Sequence, residues 1–392
     1  MVDHEPARGP ESETVDAPAA VLPDPNPEKA PQQSTPAPEL LLEFRGSARE
    51  YFRIWIVNLC LTLLTFGIFS AWAKVRRKRY LYSSTTIDGT PFQYLGQPIP
   101  ILKGRLIAAA AFLLYYVSMN IFTSLIPFIL GAAVVAAPWI LVRSSAFSSR
   151  YSAFRNMTFH FDGGYLDAAK VLYMRGLIPA ILIAIYIATL FNWPGIMIFA
   201  GVVILFLIFL FPWWIRGIKN FVLSHTSYGG KNGVFSATGG EVFGIYFVAA
   251  MIFFGVSVFS SVATLTLKAA KAEGAAYVTT LLMAAAYLMS LSYTKSHYGN
   301  LVWNNTRLAP IRFQSVLSCT GLLKLYLINS LGIICSLGLL IPWAVMRTMK
   351  YRADHMKVFR DGGLAEFQGS DMTAVAALGA ETLDLFDMDL SL

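Results

Sequence analysis

Long apolar runs alternate with short polar segments from residue 41 onward. Most of these runs are about 20 residues long, which is the length that crosses a bilayer as a helix. Two shorter apolar runs, at 51–73 and 322–344, stand before and after the others. The pattern predicts six full membrane spans, at 103–124, 126–142, 173–191, 195–215, 242–264 and 275–293.

A Trp marks one end of four apolar runs, and Lys or Arg residues follow it. Trp at the membrane interface with cations beyond it is typical of a helix that leaves the bilayer on the cytoplasmic side. We therefore predict interface anchors at Trp72, Trp139, Trp213 and Trp343. The cations after the first and last of these are candidate contacts for anionic lipid headgroups or a protein partner: Arg76, Arg77, Lys78, Arg79, Arg347, Lys350 and Arg352.

Each basic helix end is followed by a segment that alternates polar and apolar residues around a turn. In TTIDGTPFQYLG, for example, two alternating runs flank Asp88-Gly89, which is typical of a β-hairpin. A helix end and its hairpin, here called a cassette, recur as five internal repeats in the order short, long, long, long, short. The second strands of the five hairpins are predicted to begin at Phe92, Tyr165, Phe235, Phe313 and Phe367.

A lone strand around Phe44 precedes the first apolar run. Because proteins avoid exposed sheet edges, we expect this strand to pair with the final hairpin and close the hairpins into a ring. The predicted fold is a membrane all-α multi-pass bundle with cytoplasmic β-hairpin cassettes that form a β-platform.

The two short apolar runs resemble each other, since Asn58 and Trp72 of the first recur as Asn329 and Trp343 of the second. Each run either crosses the membrane or enters it and returns. The predicted far-side loops near 119–125 and 191–195 carry no charge, whereas the cassettes are basic. The positive-inside rule therefore places the cassettes on the cytoplasmic side. This placement favours short runs that enter the membrane and return, because a crossing run would put its neighbouring cassettes on opposite sides.

Polar residues within the short runs have two interpretations. Their amide and hydroxyl groups could line a pathway through the membrane. Alternatively, they could satisfy backbone groups at the turn and join neighbouring helices. These candidate residues are Asn58, Thr62, Thr65, Asn329, Ser330 and Ser336.

Composition supports the membrane class and defines the two ends. The chain is 56% hydrophobic and 14% charged, whereas soluble domains are about 45–50% apolar and about 25% charged. Residues 1–40 are predicted to be a disordered acidic Pro/Ala-rich tail, and 371–392 an acidic C-terminal tail.

The basic residues of the domain at 41–370 lie beside membrane spans, which favours anionic lipid over nucleic acid as a partner. We expect both termini to be cytoplasmic.

The N-terminal part of the domain resembles the YjgN family of bacterial inner-membrane proteins. The similarity lies in FRGSAREYF, in an N-x3-T-x2-T-x-G core from Asn58 to Gly67, in AWAKVRRKRY and in DGTPFQYLG. It extends over about residues 41–370 and omits both tails. The resemblance implies a location in the bacterial inner membrane and no particular activity.

No sequence motif indicates an enzyme. GxSxG and HExxH are absent, and GGKNG at 229–233 lacks the spacing of a phosphate-binding loop. His160, His225, His297 and His355 fall in cassettes without the spacing of metal ligands, so we expect neither a metal nor a cofactor.

Two functions therefore remain open. The first is a passive channel or transporter for a small solute, suggested by the polar residues of the short runs. The alternative is a membrane scaffold or sensor whose basic β-platform binds a protein partner or anionic lipid headgroups.

Overall fold

The computed structural model describes residues 1–2, 38–174, 196–271, 274–308 and 311–360, and of residues 174 and 196–208 the backbone alone. A 3-10 turn (Thr123–Leu125) joins α3 to α4, and a π-helical turn (Lys170–Met174) continues α5. The α-helices in the described ranges are α1 (Ala48–Leu64), α2 (Ser70–Ser83), α3 (Pro98–Asn120), α4 (Ile126–Arg150), α5 (Tyr165–Ala169), α6 (Ile196–Ser224), α7 (Gly239–Ala269), α8 (Ala275–Asn304), α9 (Cys319–Cys335) and α10 (Ile341–Asp354).

Four of the described helices, α3, α4, α7 and α8, are long and apolar enough to cross a membrane. At about 1.5 Å per residue, the shortest of them would be about 34 Å long, against a hydrocarbon core of about 30 Å. These helices are compatible with the predicted multi-pass membrane class and coincide with four of the six predicted spans. Helix α6 coincides with a fifth, and the sixth, at 173–191, lies almost wholly outside the described residues.

Each short apolar run folds back on itself as a helical hairpin. Helices α1 and α2 are joined at Phe66-Gly67, and α9 and α10 at Leu337-Gly338. The φ angles of the two glycines are 91° and 93°, which glycine adopts readily because it lacks a Cβ. The chain reverses inside each run, as the re-entrant alternative requires and a single continuous span does not.

The strands in the described ranges pair antiparallel into two sheets. Seven form one sheet in the order β1-β12-β11-β10-β9-β8-β7, and five form the other in the order β2-β3-β4-β5-β6. Their bounds are β1 (Glu39–Leu40), β2 (Leu42–Phe44), β3 (Thr85–Ile87), β4 (Thr90–Tyr94), β5 (Ser152–Phe154), β6 (Met157–Thr158), β7 (His160–Phe161), β8 (Thr226–Tyr228), β9 (Lys231–Phe235), β10 (Thr306–Leu308), β11 (Ile311–Ser315) and β12 (Met356–Arg360).

The two sheets run into each other at two points and form one ring. Strand β1 continues into β2 through Leu41, and β6 continues into β7 through Phe159. Backbone hydrogen bonds extend through both junctions: the amide of Asp88 donates to the Leu41 carbonyl at 2.9 Å, and the amide of Phe159 donates to the Ser152 carbonyl at 3.2 Å. A ring of this kind leaves few free strand edges.

The ring closes where Leu40 of β1 pairs with Val358 of β12. The ring therefore closes at the last predicted hairpin, through Glu39 and Leu40 and not through the strand around Phe44 that was expected to make this pair. Phe44 itself pairs with Thr85 on the other side. Glu39 and Leu40, which the sequence assigned to the N-terminal tail, form β1 of the ring.

Alternate strand residues point into the ring and form its apolar core. In β4, for example, Phe92 and Tyr94 are buried while Gln93 between them is exposed, as the two-residue period of a strand requires. One continuous core cluster consists of Leu40, Ile87, Phe92, Phe154, Tyr228, Ile311, Phe313 and Val358.

One predicted hairpin was assigned the wrong turn. Strands β5 and β6 flank Arg155-Asn156, and Tyr165, predicted to begin a strand, is the first residue of α5. Gly164 precedes this helix in an extended conformation, so the Gly pair ends the strand segment and starts a helix. Phe367, predicted in the final strand, lies outside the described residues. The relation of the five cassettes as internal repeats stays a prediction.

Candidate functional site

A basic groove lies between α2 and strand β4. It has a volume of about 540 Å³ and opens widely to the surface. Arg76, Arg79, Tyr80 and Ser83 share one face of α2 because residues three and four apart are neighbours on a helix. The rest of its lining is mostly apolar and consists of Ile54, Phe92, Gln93, Tyr94 and Leu95.

The guanidinium groups of this groove are held at its edge by weak contacts. Arg79 Nη2 donates to the carbonyl oxygen of Gly96 at 3.1 Å, and Arg76 Cζ lies 5.3 Å from the ring centre of Phe69. Within the described residues, neither arginine forms a salt bridge with a carboxylate. The groove therefore presents two positive charges that the described carboxylates do not neutralise.

Tyr80 fixes the end of α2 against the start of α1. The amide of Ser47 donates to Tyr80 Oη at 2.8 Å, and the hydroxyl also contacts Glu50 Oε2 at 3.1 Å. Its ring stacks on Tyr51 with centroids 5.6 Å apart. Burial raises the pKa of Tyr80, so this hydroxyl remains protonated at neutral pH. The equivalent Tyr351 Oη lies 3.2 Å from Ser318 Oγ in the other hairpin.

The remaining predicted cations follow the same helix ends. Arg77 is exposed on α2, and Lys78 Nζ lies 5.6 Å from the ring centre of Tyr94. On α10, Lys350 and Arg352 are exposed, while Arg347 Cζ lies over the Trp343 ring at 5.2 Å. Each hairpin therefore carries these predicted cations on the helix that returns to the ring.

The polar residues of the first short run bond mainly to their own hairpin. Thr62 Oγ1 donates to the Asn58 carbonyl at 2.7 Å, and Thr65 Oγ1 donates to the Leu61 carbonyl at 2.7 Å. The amide of Phe69 in turn donates to Thr65 Oγ1 at 2.9 Å. Asn58 is buried on α1. These contacts satisfy backbone groups around the turn, as the structural interpretation requires.

The second short run has the same contact at its turn and adds a link between its two helices. Asn329 Nδ2 lies 3.2 Å from Thr348 Oγ1, which links α9 to α10. The amide of Leu340 donates to Ser336 Oγ at 3.0 Å, which caps the turn. Ser330 is half-buried on α9. A role of these residues in lining a pathway stays a prediction.

The predicted Trp anchors lie at different places in their helices: Trp72 and Trp343 are near the starts of α2 and α10, whereas Trp139 and Trp213 lie well inside α4 and α6. Trp139 and Trp213 are 37% and 38% exposed, so each retains an accessible face. A Cβ on Gly239 would lie 2.3 Å from the Trp213 ring, which shows how closely this side chain packs on the start of α7. Trp72 and Trp343 are half-buried in their hairpins.

Two of the four cassette histidines contact the ends of helices, whereas His160 lies in β7 and His297 lies inside α8. Nδ1 of His225 lies 2.8 Å from the Phe221 carbonyl oxygen, and Nδ1 of His355 lies 2.8 Å from the Tyr351 carbonyl oxygen. Each imidazole thus donates to a carbonyl of the last helical turn. Among the described residues, no group of three or more His, Cys, Asp or Glu side chains is arranged to hold a metal ion.

The apolar wall of the groove was missed in the sequence. Ile54 lies on α1, and Tyr94 and Leu95 lie at the end of β4. Only the packing of both elements against α2 brings these residues beside the arginines. The alternation within TPFQY indicated which β4 residues are buried, but not which helix covers them.

Comparison with known proteins finds bacterial membrane relatives. The model of a family described as "Bacterial protein of unknown function (DUF898)" matches residues 39–385. Inner membrane protein YjgN of Salmonella typhimurium is 25% identical over 365 residues, which cover 82% of this chain and 88% of that protein. Inner membrane protein YjgN of Escherichia coli K12 is 43% identical over 51 residues, 13% of each chain. No solved structure matches significantly.

Proposed function

Because this chain belongs to the DUF898 family of bacterial proteins of unknown function, whose relatives include inner membrane proteins named YjgN, we propose that it is an inner-membrane protein that binds anionic lipid headgroups. The proposed site is the basic groove between α2 and β4. The observation that carries this proposal is the pairing of Arg76 and Arg79 with an apolar wall.

The chemistry of the groove fits a phospholipid better than a soluble anion. Guanidinium groups bind phosphate through directed hydrogen bonds, and both arginines lack a carboxylate partner among the described residues. Ile54, Phe92 and Leu95 supply apolar surface beside them, which suits the glycerol and upper acyl region of a lipid. Basic sites of this kind beside membrane helices are typical of anionic headgroup binding.

The height of the arginines in the hairpin supports the same ligand. The hairpin turn ends where α2 begins at Ser70, and Arg79 lies nine residues later, which corresponds to about 14 Å along a helix. This distance is close to half the thickness of a hydrocarbon core of about 30 Å. A hairpin whose tip lies at the bilayer midplane would therefore hold Arg79 at the level of the headgroups. The basic helix ends would then face the cytoplasm, as the positive-inside rule predicts.

The channel hypothesis has weaker support. A solute pathway needs polar groups that face an open path, whereas Thr62, Thr65 and Ser336 bond to the backbone of their own hairpins. The middle of the β-ring is occupied by apolar side chains such as Phe92 and Phe313. We therefore favour headgroup binding, and solute flux through reconstituted protein remains the test of the other function.

Headgroup binding can be measured on the full-length protein in nanodiscs of phosphatidylcholine, titrated with phosphatidylglycerol and read by native mass spectrometry. The test variant is Arg76→Gln with Arg79→Gln. Each cation near a membrane surface contributes about 1 kcal/mol, so the double variant should bind phosphatidylglycerol about 30-fold more weakly.

The matched control is Arg307→Gln with Lys231→Gln, which removes the same charge from ring strands outside the groove. We expect this control to bind phosphatidylglycerol nearly as well as the unaltered protein. Equal weakening in both double variants would mean that general charge attracts the lipid, and no weakening in either would mean that the groove does not bind it. Both results would overturn the proposal.

A further inference from the structure

The inside of the β-ring is not completely filled by its core. A cavity of about 150 Å³ lies between the inward-facing strand residues and the last turns of four helices. Helices α2, α4, α6 and α8 each supply side chains from their final turn. The residues that matter for the argument are Tyr82, Leu223 and Trp303 on the helix side, and Phe92, Phe154 and Ile311 on the strand side.

Three of the polar side chains at this cavity already have partners within the protein. Tyr228 Oη donates to the Phe154 carbonyl at 3.0 Å, and Thr226 Oγ1 donates to the Val222 carbonyl at 2.7 Å. Thr306 Oγ1 likewise donates to a carbonyl of α8 at 2.6 Å. A buried water needs two to four polar partners, so these satisfied groups favour an apolar occupant over water.

None of the described residues that line the cavity carries a charge. A charged ligand there would lose its hydration without a compensating ion pair, which is costly. The aromatic rings of the wall already meet in pairs, with centroids 4.8 Å apart for Phe92 and Phe154 and 5.1 Å apart for Trp303 and Phe313. Aromatic pairs are favourable at centroid separations of about 4.5–7 Å, so a further ring would extend this cluster.

We propose that the cavity is a binding site for a small neutral apolar molecule about the size of one aromatic ring. Apolar cavities of about 150 Å³ in other proteins stay dry and accept benzene. The arginines of the groove do not line this cavity. The proposal therefore does not depend on whether the protein binds lipid headgroups. Because its occupant would contact the ends of four helices and the ring together, binding should stabilise the whole fold.

Thermal unfolding of the full-length protein in nanodiscs tests this proposal, with benzene as the probe. A ligand at ten times its Kd raises the ratio of folded to unfolded protein about 11-fold, so benzene should raise Tm. The control ligand is 1,3,5-triisopropylbenzene, which enters lipid more readily but is too large for the cavity. We expect no rise in Tm with the larger molecule. An equal or greater rise, or no rise with benzene, would overturn the proposal.

Two variants make the test specific to the cavity. Ile311→Phe should fill the space and abolish the effect of benzene on Tm. Val358→Ile is the matched control, because Val358 belongs to the same core cluster but does not line the cavity, and it should retain the effect. An equal benzene effect in both variants would refute the assignment.

Phe92 is left unaltered because it lines both the cavity and the groove. If Ile311→Phe does not fold, Ile87→Phe fills the space from another strand. The comparison of the two ligands decides the question without any variant.

Discussion

The depth of the α1–α2 hairpin in the membrane can be measured with single cysteines. Phe66 at the hairpin tip is 99% exposed on the protein, so lipid would have to cover it if the hairpin re-enters. The length of α2 from Ser70 to Arg79, about 14 Å, predicts that the tip lies near the bilayer midplane when Arg79 lies among the headgroups. A cysteine at the tip should therefore be shielded from water on both sides.

The perturbation is Phe66→Cys in a chain from which the three native cysteines have been removed. Ser83→Cys at the other end of α2 and Phe122→Cys beyond the far end of α3 serve as controls, since both positions are exposed. Maleimide reacts with the thiolate, and burial in an apolar environment raises the pKa of a thiol. A rise of only about two units would slow labelling at the tip about 100-fold.

The assay is labelling with a membrane-impermeant maleimide from each side of the membrane. We expect Ser83→Cys to react from the cytoplasm alone, Phe122→Cys from the periplasm alone, and Phe66→Cys from neither. Rapid labelling of Phe66→Cys from the periplasm would mean that the run crosses the membrane, and labelling from the cytoplasm would mean that the hairpin lies in water. Either result refutes the reasoning, and Leu337→Cys repeats the test in the second hairpin.

Three further predictions concern stability. Gly67→Ala should destabilise the protein by about 1–2 kcal/mol because φ at this position is positive, whereas Gly240→Ala, in open space at the start of α7, should not lower Tm in parallel thermal scans. Thr238→Ala should cost about 1 kcal/mol, measured by the same scans, since its side chain accepts a hydrogen bond from the Glu241 amide at the start of α7. Burial raises the pKa of Tyr228, so the folded state holds this proton more tightly than the unfolded state. Stability should then fall as pH rises above about 10, and the fall in Tm should be shallower in Tyr228→Phe; an equal slope would contradict this.

Much of the architecture could be predicted because it depends on local patterns. Runs of about 20 apolar residues predicted α3, α4, α7 and α8, since bilayer thickness fixes their length. The Asp88-Gly89 turn was visible for a similar reason, because both residues adopt positive φ there. The lone strand before the first helix indicated that the strands close into a ring, because an unpaired sheet edge would be unfavourable.

The parts that could not be predicted depend on contacts between distant segments. The Arg155-Asn156 turn lacks glycine although both residues have positive φ, so nearby Gly163-Gly164 was the stronger turn signal and gave the wrong assignment. The groove and the ring cavity were equally invisible. The cavity combines strand residues with helix ends far away in sequence, and this juxtaposition exists only once the strand order is known. The groove is lined by residues between 54 and 95, and it depends on how α1 and β4 pack against α2.

The closing pair of the ring also sets the order in which the protein can be made. Glu39 pairs with Phe359, so the first strand emerges from the ribosome about 320 residues before its partner. At about 5–20 residues per second, the early strand waits roughly 15 to 60 s. The helices are inserted into the membrane during that interval. Ring closure is therefore a late step, which occurs only after the helices of the membrane domain have been synthesised. A chain that stops before Met356 would lack this partner strand and leave one side of the first strand open to pairing with other chains.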